Sequence, residues 1–461
     1  MDPRTSNRTT AERDVESVLH PYTNLIRHRE TGPMVITRGQ GVRVFDEQGR
    51  DYIEGLAGLW CTSLGWGEER LVEAAAAQMR KLPFYHLFSH KSHDPAVELC
   101  DRLLAMAPAP MSKVFLAGSG SEANDTAIKL IHYRANALGQ PAKKKIIARD
   151  KAYHGVTIAT ASLTGLPNNQ RSFDVPIPGT LKAGCPHHYR FGRPDESEAD
   201  FATRMAEDLE ALILAEGPDT VAAFFAEPVM GAGGVIVPPA TYFPKIQAVL
   251  DRHDILLVAD EVICGFGRTG KMFGTETFAI RPDMMTLAKG LSSGYAPISA
   301  LMVNERVFGP VAEESGRIGV FGHGYTYGGH PVSAAVAVET LKIYAERDIL
   351  AQVATVGPAL QRGLEAFRDH PLVGEKRGVG LIGALELVDD KASRRPFDAT
   401  RGVGPAVVAR AQANGVILRA MGDTIAFSPP LVISEDEIAE MLRRFGRALD
   451  EAHGALIRES I

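Results

Sequence analysis

Between residues 65 and 330 one pattern recurs: a short, wholly apolar run, followed by a segment with helical periodicity. "KVFLAGSG", "KKIIARD", "TVAAFFAEP", "ILLVADEV" and "DMMTLAKG" are such runs, each closed by Gly, Pro or a charge. A strand that is apolar on both sides must be covered on both faces, and the intervening helices supply the cover. The expected architecture is therefore α/β, a large, mostly parallel sheet layered with helices. In open sheets of this kind ligands bind beyond the carboxyl ends of the strands. The polar residues that close the runs become the first candidates for chemistry.

Outside this region the pattern changes. The hairpin-like "GVRVFDEQGRDYIEGLAG" is expected to join a C-terminal part with a helix over 332–346, strands in "GLIGALELV" and "GVILRA", a helix near 403–414 and a long final helix. This gives three expected units: 1–64 contributing to a smaller α+β domain, 65–335 as the large domain, and 336–461 completing the small one. The polar stretch 186–206 reads as an irregular surface excursion. With 461 residues, the chain is long enough for this division.

Charge and cysteine usage exclude several classes. The net charge is -6, with 50 basic and 56 acidic residues intermixed, so no basic stripe suggests nucleic acid. No apolar run approaches the ~18 residues of a membrane span, and the first 15 residues carry no apolar core of a secretory signal. Cys61, Cys100, Cys185 and Cys264 are far apart and lack CxxC spacing, as expected of reduced thiols in a cytoplasmic protein.

Three strand ends carry the chemistry. In "VFLAGSGSEANDTAIK" a strand meets a helix through a Gly/Ser turn, and Ser119 and Glu122 have capping-box spacing. Free amides near Gly120, Ser121 and Glu122 make an anion or phosphate site, a weak signal alone. "ILLVADEV" ends in Asp260 and Glu261, and a carboxylate there is costly unless it meets a cation or strong donors. Taken singly, such an aspartate reads as a cap or half an ion pair. Lys289 closes the next such strand, although lysine is among the residues least often buried.

Anion cradle, carboxylate and lysine together suit pyridoxal phosphate. The lysine forms a Schiff base with the aldehyde, and burial lowers its pKa so that a free amine is available. Asp260 pairs with the ring nitrogen and keeps it protonated, making the ring an electron sink. Tyr153 supplies an aromatic face over the ring, and Val262, two residues beyond Asp260 on the same strand face, presses on the other side.

Two histidine groups invite a reading as metal ligands. His86, His90 and His93 have suggestive spacing but no fourth ligand, and Cys185, His187 and His188 read as a surface loop. No metal is expected. His154 reads as a structural support for Tyr153.

"SGSEANDTAIK", "AYHG", "AEPVMGAGG", "LLVADEVICGFGRTG", "TLAKGLSSGYAPI" and "GYTYGGHP" together resemble class III pyridoxal-phosphate aminotransferases, in particular the amine–pyruvate or omega-aminotransferase group. The resemblance runs in order from about residue 40 to 450. It implies the type I aminotransferase fold and a homodimer, possibly paired into a tetramer, with active sites at the subunit interface. Carried over by motif, Lys289 is the Schiff-base lysine, Asp260 the ring-nitrogen partner, Gly120 and Ser121 phosphate ligands, Tyr153 the stacking ring and Val262 the packing beneath it. Thr326 resembles the threonine that reaches the phosphate from the neighbouring subunit.

Departures from the family pattern bear on substrate. Ornithine- and 4-aminobutyrate-type relatives pair a Glu in the "EP…G" segment with an Arg before "PPL"; here those positions hold Ala232 and Ala426. Arg419 instead matches the mobile arginine of amine–pyruvate enzymes, which clamps a carboxylate and swings away for substrates lacking one. Leu59, Trp60 and Phe88 resemble the walls of the substrate pocket. The resemblance implies ping-pong transfer of an amino group from an amine or omega-amino acid to pyruvate. A class III aminomutase, racemase or decarboxylating aminotransferase shares the same cofactor motifs. A non-catalytic phosphate-ligand binding protein is the alternative from another class.

Overall fold

The computed structural model describes residues 8–459; positions 1–7, part of the stretch read above as lacking a secretory signal, lie outside the described residues. All five apolar runs are strands of one seven-stranded sheet. Its spatial order is Lys113–Ala117, Ser299–Val303, Met284–Leu287, Leu256–Asp260, Val221–Ala226, Lys145–Arg149 and Thr180–Ala183. Only Ser299–Val303 runs antiparallel to its neighbours. Strands Val221–Ala226, Leu256–Asp260 and Met284–Leu287 are buried at every position, as burial on both faces requires.

Register fixes the geometry of the site. Asp260 pairs with Thr286 on the adjacent parallel strand, and Lys289 lies three residues beyond that partner. Both residues therefore leave the sheet at the same edge, where open α/β sheets bind ligands. The helix Gly120–Ala137 packs its Ala127, Ile128, Leu130 and Ile131 against the sheet.

The early meander Ile36–Gln40, Arg43–Asp46, Asp51–Glu54 pairs with C-terminal Val416–Ile417, so the two chain ends share a sheet. A second four-stranded antiparallel sheet holds Val373–Val379, Ile382–Leu387, Thr424–Phe427 and Arg419–Met421. Helices cover Pro331–Glu346, Val403–Ala413 and Glu435–Glu459. "GVILRA", read as one strand, is two: the chain changes sheets at Leu418, which is itself buried.

The stretch 186–206 is not an irregular excursion. It contains the short helix His188–Phe191 and opens the helix Glu198–Glu216, whose N-cap Ser197 accepts a hydrogen bond from the Asp200 amide. Phe201, Ala202, Met205, Ala206, Leu209 and Ile213 form a buried stripe at helical spacing. The acidic and arginine residues between them masked this periodicity. No helix among the described residues is long and apolar enough to cross a membrane.

Candidate active site

Gly120, Ser121, Tyr153, Asp260, Val262 and Lys289 line one cavity at the carboxyl edge of the large sheet. Asp260 and Glu261, adjacent in sequence, have separate duties. Glu261 turns away and accepts from the Gly274 and Thr275 amides, and burial pushes its pKa up to about 7 despite these bonds. Asp260 faces the cavity. Its Oδ2 accepts from His154 Nδ1 and Asn124 Nδ2, each at 2.8 Å, and its Oδ1 accepts only from the Val262 amide at 3.1 Å. Burial raises its pKa, but the His154 and Asn124 bonds outweigh that and hold it below the usual carboxylate value.

An ionised Asp260 can only accept, so the shared proton resides on His154 Nδ1. His154 Nε2 is buried and makes no hydrogen bond among the described residues. The histidine thus orients the aspartate, rather than supporting Tyr153 as expected from sequence.

Lys289 follows the strand Met284–Leu287 with φ +49 and begins a tight 3-10 turn to Ser292. Among the described residues its ammonium makes no hydrogen bond or salt bridge. Burial pulls its pKa down; the negative ends of Cys61, Asp260 and Glu227 resist, and the Arg419 charge assists.

Ser119 caps the helix Gly120–Ala137 by accepting from the Glu122 amide at 3.2 Å. The reciprocal half of the capping box is missing: the Glu122 carboxylate accepts from Gly118 instead. Gly120 lies so close to Val262 that a Cβ there would stand 3.1 Å from both valine methyls. Ser121 Oγ accepts from the Val156 amide at 3.2 Å, leaving its own proton to donate. Gly155 has φ +136, and a Cβ would meet Thr160 Oγ1 at 2.5 Å and Ser121 Oγ at 2.6 Å, so only glycine fits.

Two cavity residues escaped the sequence reading. Asn124 sits on the buried face of its helix and bridges the His154 carbonyl to Asp260. Glu227 accepts from the Tyr153 amide with one oxygen and the Gly231 amide with the other, both at 3.0 Å, and burial raises its pKa. The only available signals were a polar residue interrupting an alanine-rich helix face and an acid closing the apolar run "TVAAFFAEP".

The expected substrate residues are placed unevenly. Arg419 makes no hydrogen bond or ion pair among the described residues, and its guanidinium lies 6.0 Å from the Tyr22 ring centre. The Tyr22 and Tyr153 hydroxyls are 3.5 Å apart, and burial followed by this contact raises the Tyr153 pKa. Trp60 is buried in a cluster with Leu56, Val229 and Ala426. Leu59, Phe88 and Thr326 are exposed and do not line the Lys289 cavity in this single chain.

His93 caps the helix Asp94–Met106 and bonds the Gly329 carbonyl, while His86 accepts from the Phe88 amide. Cys185 and His187 are buried rather than on a surface loop. His187 Nε2 bonds Glu375 at 2.8 Å within a cluster that adds Glu386, Arg377 and Arg190.

The donor set fits pyridoxal phosphate. An unpartnered amine, a carboxylate oxygen with one remaining lone-pair direction and a helix start closed against side chains by Gly120 and Gly155 match its aldehyde, ring nitrogen and phosphate. The class-III aminotransferase family model matches residues 26–449. The chain is a class III aminotransferase.

As a class III aminotransferase it depends on pyridoxal phosphate. It is 51% identical over 435 residues to gamma aminobutyrate transaminase 3, chloroplastic, of Solanum lycopersicum, covering 94% of this chain and 84% of that protein. A probable gamma-aminobutyrate transaminase 3, mitochondrial, of Oryza sativa subsp. indica is 51% identical over 433 residues, with 94% and 85% covered. Among solved structures, the omega transaminase of Pseudomonas jessenii in complex with PMP superposes with TM-score 0.96 at 56% identity, covering 96% of this chain and 98% of that one. A thermostable omega transaminase variant engineered for enantiopure bulky amines has TM-score 0.96 and 56% identity, with 97% and 99% covered. These likenesses carry the type I fold for this aminotransferase.

Proposed function

We propose that this aminotransferase moves the amino group of an amine or omega-amino acid to pyruvate, releasing alanine in a ping-pong cycle. The observation that carries this reading is Arg419: it is unpaired, close to Tyr22 and Tyr153, and electrostatically felt at Lys289. A free guanidinium near this cavity suits the carboxylate of pyruvate or alanine, and a bidentate bond fixes its orientation. The relatives named for gamma-aminobutyrate favour a short omega-amino acid donor as a second substrate type. Arg419 is then the carboxylate partner, because Ala232 and Ala426 supply none.

In this reading Lys289 holds the cofactor covalently at rest. Its Nζ, once displaced by donor, would take the proton from the substrate carbon bearing nitrogen and deliver it to the carbon that was the cofactor's aldehyde. The cofactor supplies the electron sink for that proton transfer. Asp260 holds the ring nitrogen through Oδ1 while His154 and Asn124 occupy Oδ2. Gly120 and Ser121 would hold the phosphate, and Tyr153 and Val262 would pack against the ring. The exposure of Phe88 and Thr326 supports a homodimer in which each completes its partner's site. Four free cysteines fit the reducing cytoplasm.

The test is a half-reaction screen. Bleaching of the visible cofactor band is followed with alanine, β-alanine, 4-aminobutyrate and a monoamine, and pyruvate should restore the band after each. A Lys289→Ala variant should bind cofactor reversibly without turnover; normal transamination by that variant would sink the assignment.

A further inference from the structure

The N-terminal arm has almost no core of its own. Its first helix, Thr10–Ser17, buries no residue, and its second, Leu25–Thr31, buries only His28. Val18, Leu19, Leu25 and Ile26 stay exposed. Caps nevertheless specify both helices: Thr9 and Glu12 form a reciprocal capping box, and the Asn24 side chain accepts from the Ile26 and Arg27 amides. Burial of apolar surface therefore does not explain how the two are held to each other.

What joins them is polar. Asp14 of the first helix offers one oxygen, Oδ1, to two imidazoles: His20 Nε2 at 2.7 Å and His28 Nε2 at 3.1 Å. A carboxylate oxygen accepts, so both rings donate from Nε2. The rings lie 4.1 Å apart, centre to centre, and the three ligand atoms all lie within 4.8 Å of one another. Tetrahedral ligands on a zinc ion, with bonds of about 2.0 Å, stand about 3.3 Å apart. Two N–H groups converging on one oxygen thus mark the place of a cation. His187, Glu375 and Glu386 make a similar set, but arginines fill it: Arg377 donates to both carboxylates and Arg190 to Glu386. No Lys or Arg among the described residues is bonded to the Asp14 carboxylate.

We propose that Asp14, His20 and His28 form a three-ligand site for a divalent first-row transition ion, with water at the fourth position, that clasps the arm. Two imidazoles and a carboxylate are donors that zinc, cobalt and nickel accept. The ligands come from the first helix, the linker and the second helix, so one ion fixes all three segments. Tyr22 follows His20 by two residues, and its hydroxyl stands 3.5 Å from that of Tyr153 in the Lys289 cavity. The clasp therefore also holds Tyr22 at the edge of the active site. Sequence alone hid the set: the three lie six and eight residues apart, unlike the close ligand pairs of zinc motifs.

The experiment strips the holoenzyme with a chelator and titrates it with Zn²⁺ against a chromophoric competitor. One ion should bind per chain. Asp14→Asn, which keeps an acceptor oxygen for both rings, and His20→Gln should each weaken binding at least about 100-fold, because even outer-shell partners of a metal are worth about 10–100-fold. Hydrogen exchange then locates the ion. Zinc at about 100 times its Kd should slow the amides of 10–31 by up to about 100-fold in wild type and leave them unchanged in Asp14→Asn. Protection confined to 10–31 in wild type decides for the site even where a variant folds poorly. Failure of Zn²⁺ to bind would overturn the proposal and leave a hydrogen-bonded cluster. So would binding that survives both substitutions, or binding that leaves exchange in 10–31 unchanged, since the ion then sits elsewhere.

Discussion

Arg419 and Ala426 are directly opposed across an antiparallel strand pair. Opposed residues project from the same face of a sheet. The guanidinium therefore rises beside a fully buried alanine. One positive charge is supplied from the neighbouring strand, and its small partner leaves it room to move. Arg419→Ala should raise KM for pyruvate, alanine and omega-amino acids about 10- to 100-fold, the loss of a charged hydrogen-bond pair. A monoamine donor should change by less than about threefold. Equal effects in steady-state assays would show that another group binds the carboxylate.

Asp260→Asn should separate this residue from its neighbour. Oδ2 already receives two donors and Oδ1 one, so either amide orientation sets an N–H against an N–H. Turnover should fall about 100-fold or more, with a shifted visible band. Glu261→Gln should retain kcat within about threefold yet unfold at lower temperature, because Glu261 serves only the Gly274 turn. Similar kcat losses in both variants would refute the division of roles.

Gly155→Ala tests the cradle. Its Cβ would penetrate Thr160 and Ser121 side chains at a φ that side chains rarely adopt. Cofactor affinity should weaken about tenfold or more, measured by fluorescence titration of the apoprotein. Far-UV circular dichroism should stay native. Unchanged affinity would remove Ser121 from the phosphate site.

Stability in acid should depend on Glu386. Burial alone would raise its pKa, but Arg377 foremost, with His187 and Arg190, holds it down at about 2, below the ordinary glutamate value of 4.5. A depressed carboxylate contributes stability above its unfolded pKa and loses it as pH falls through the folded one. Glu386→Gln should therefore cost about 3 kcal/mol at pH 7. The gap to wild type should close between about pH 4.5 and 2 in denaturant titrations. A gap independent of pH would show that packing, not charge, is lost.

What was legible in the sequence was local. Strand, turn and helix starts are written within a few residues, and so Lys289, Asp260, Gly120 and Ser121 could be read as strand-end chemistry. Asn124 and His187 could not, because their partners lie far along the chain: Asp260 is 136 residues from Asn124, and Glu375 is 188 from His187. The strand Thr180–Ala183 was missed because an edge position tolerates its threonine and lysine. Trp60 clusters with Ala384 and Ala426, which only the sheet pairing brings together, so that neighbourhood could not be read from sequence.

Lys289 holds a backbone conformation, φ +49, that costs a residue with a Cβ about 1–2 kcal/mol. Selection for folding alone would replace it with glycine or asparagine. Stability and turnover therefore pull in opposite directions at this one position.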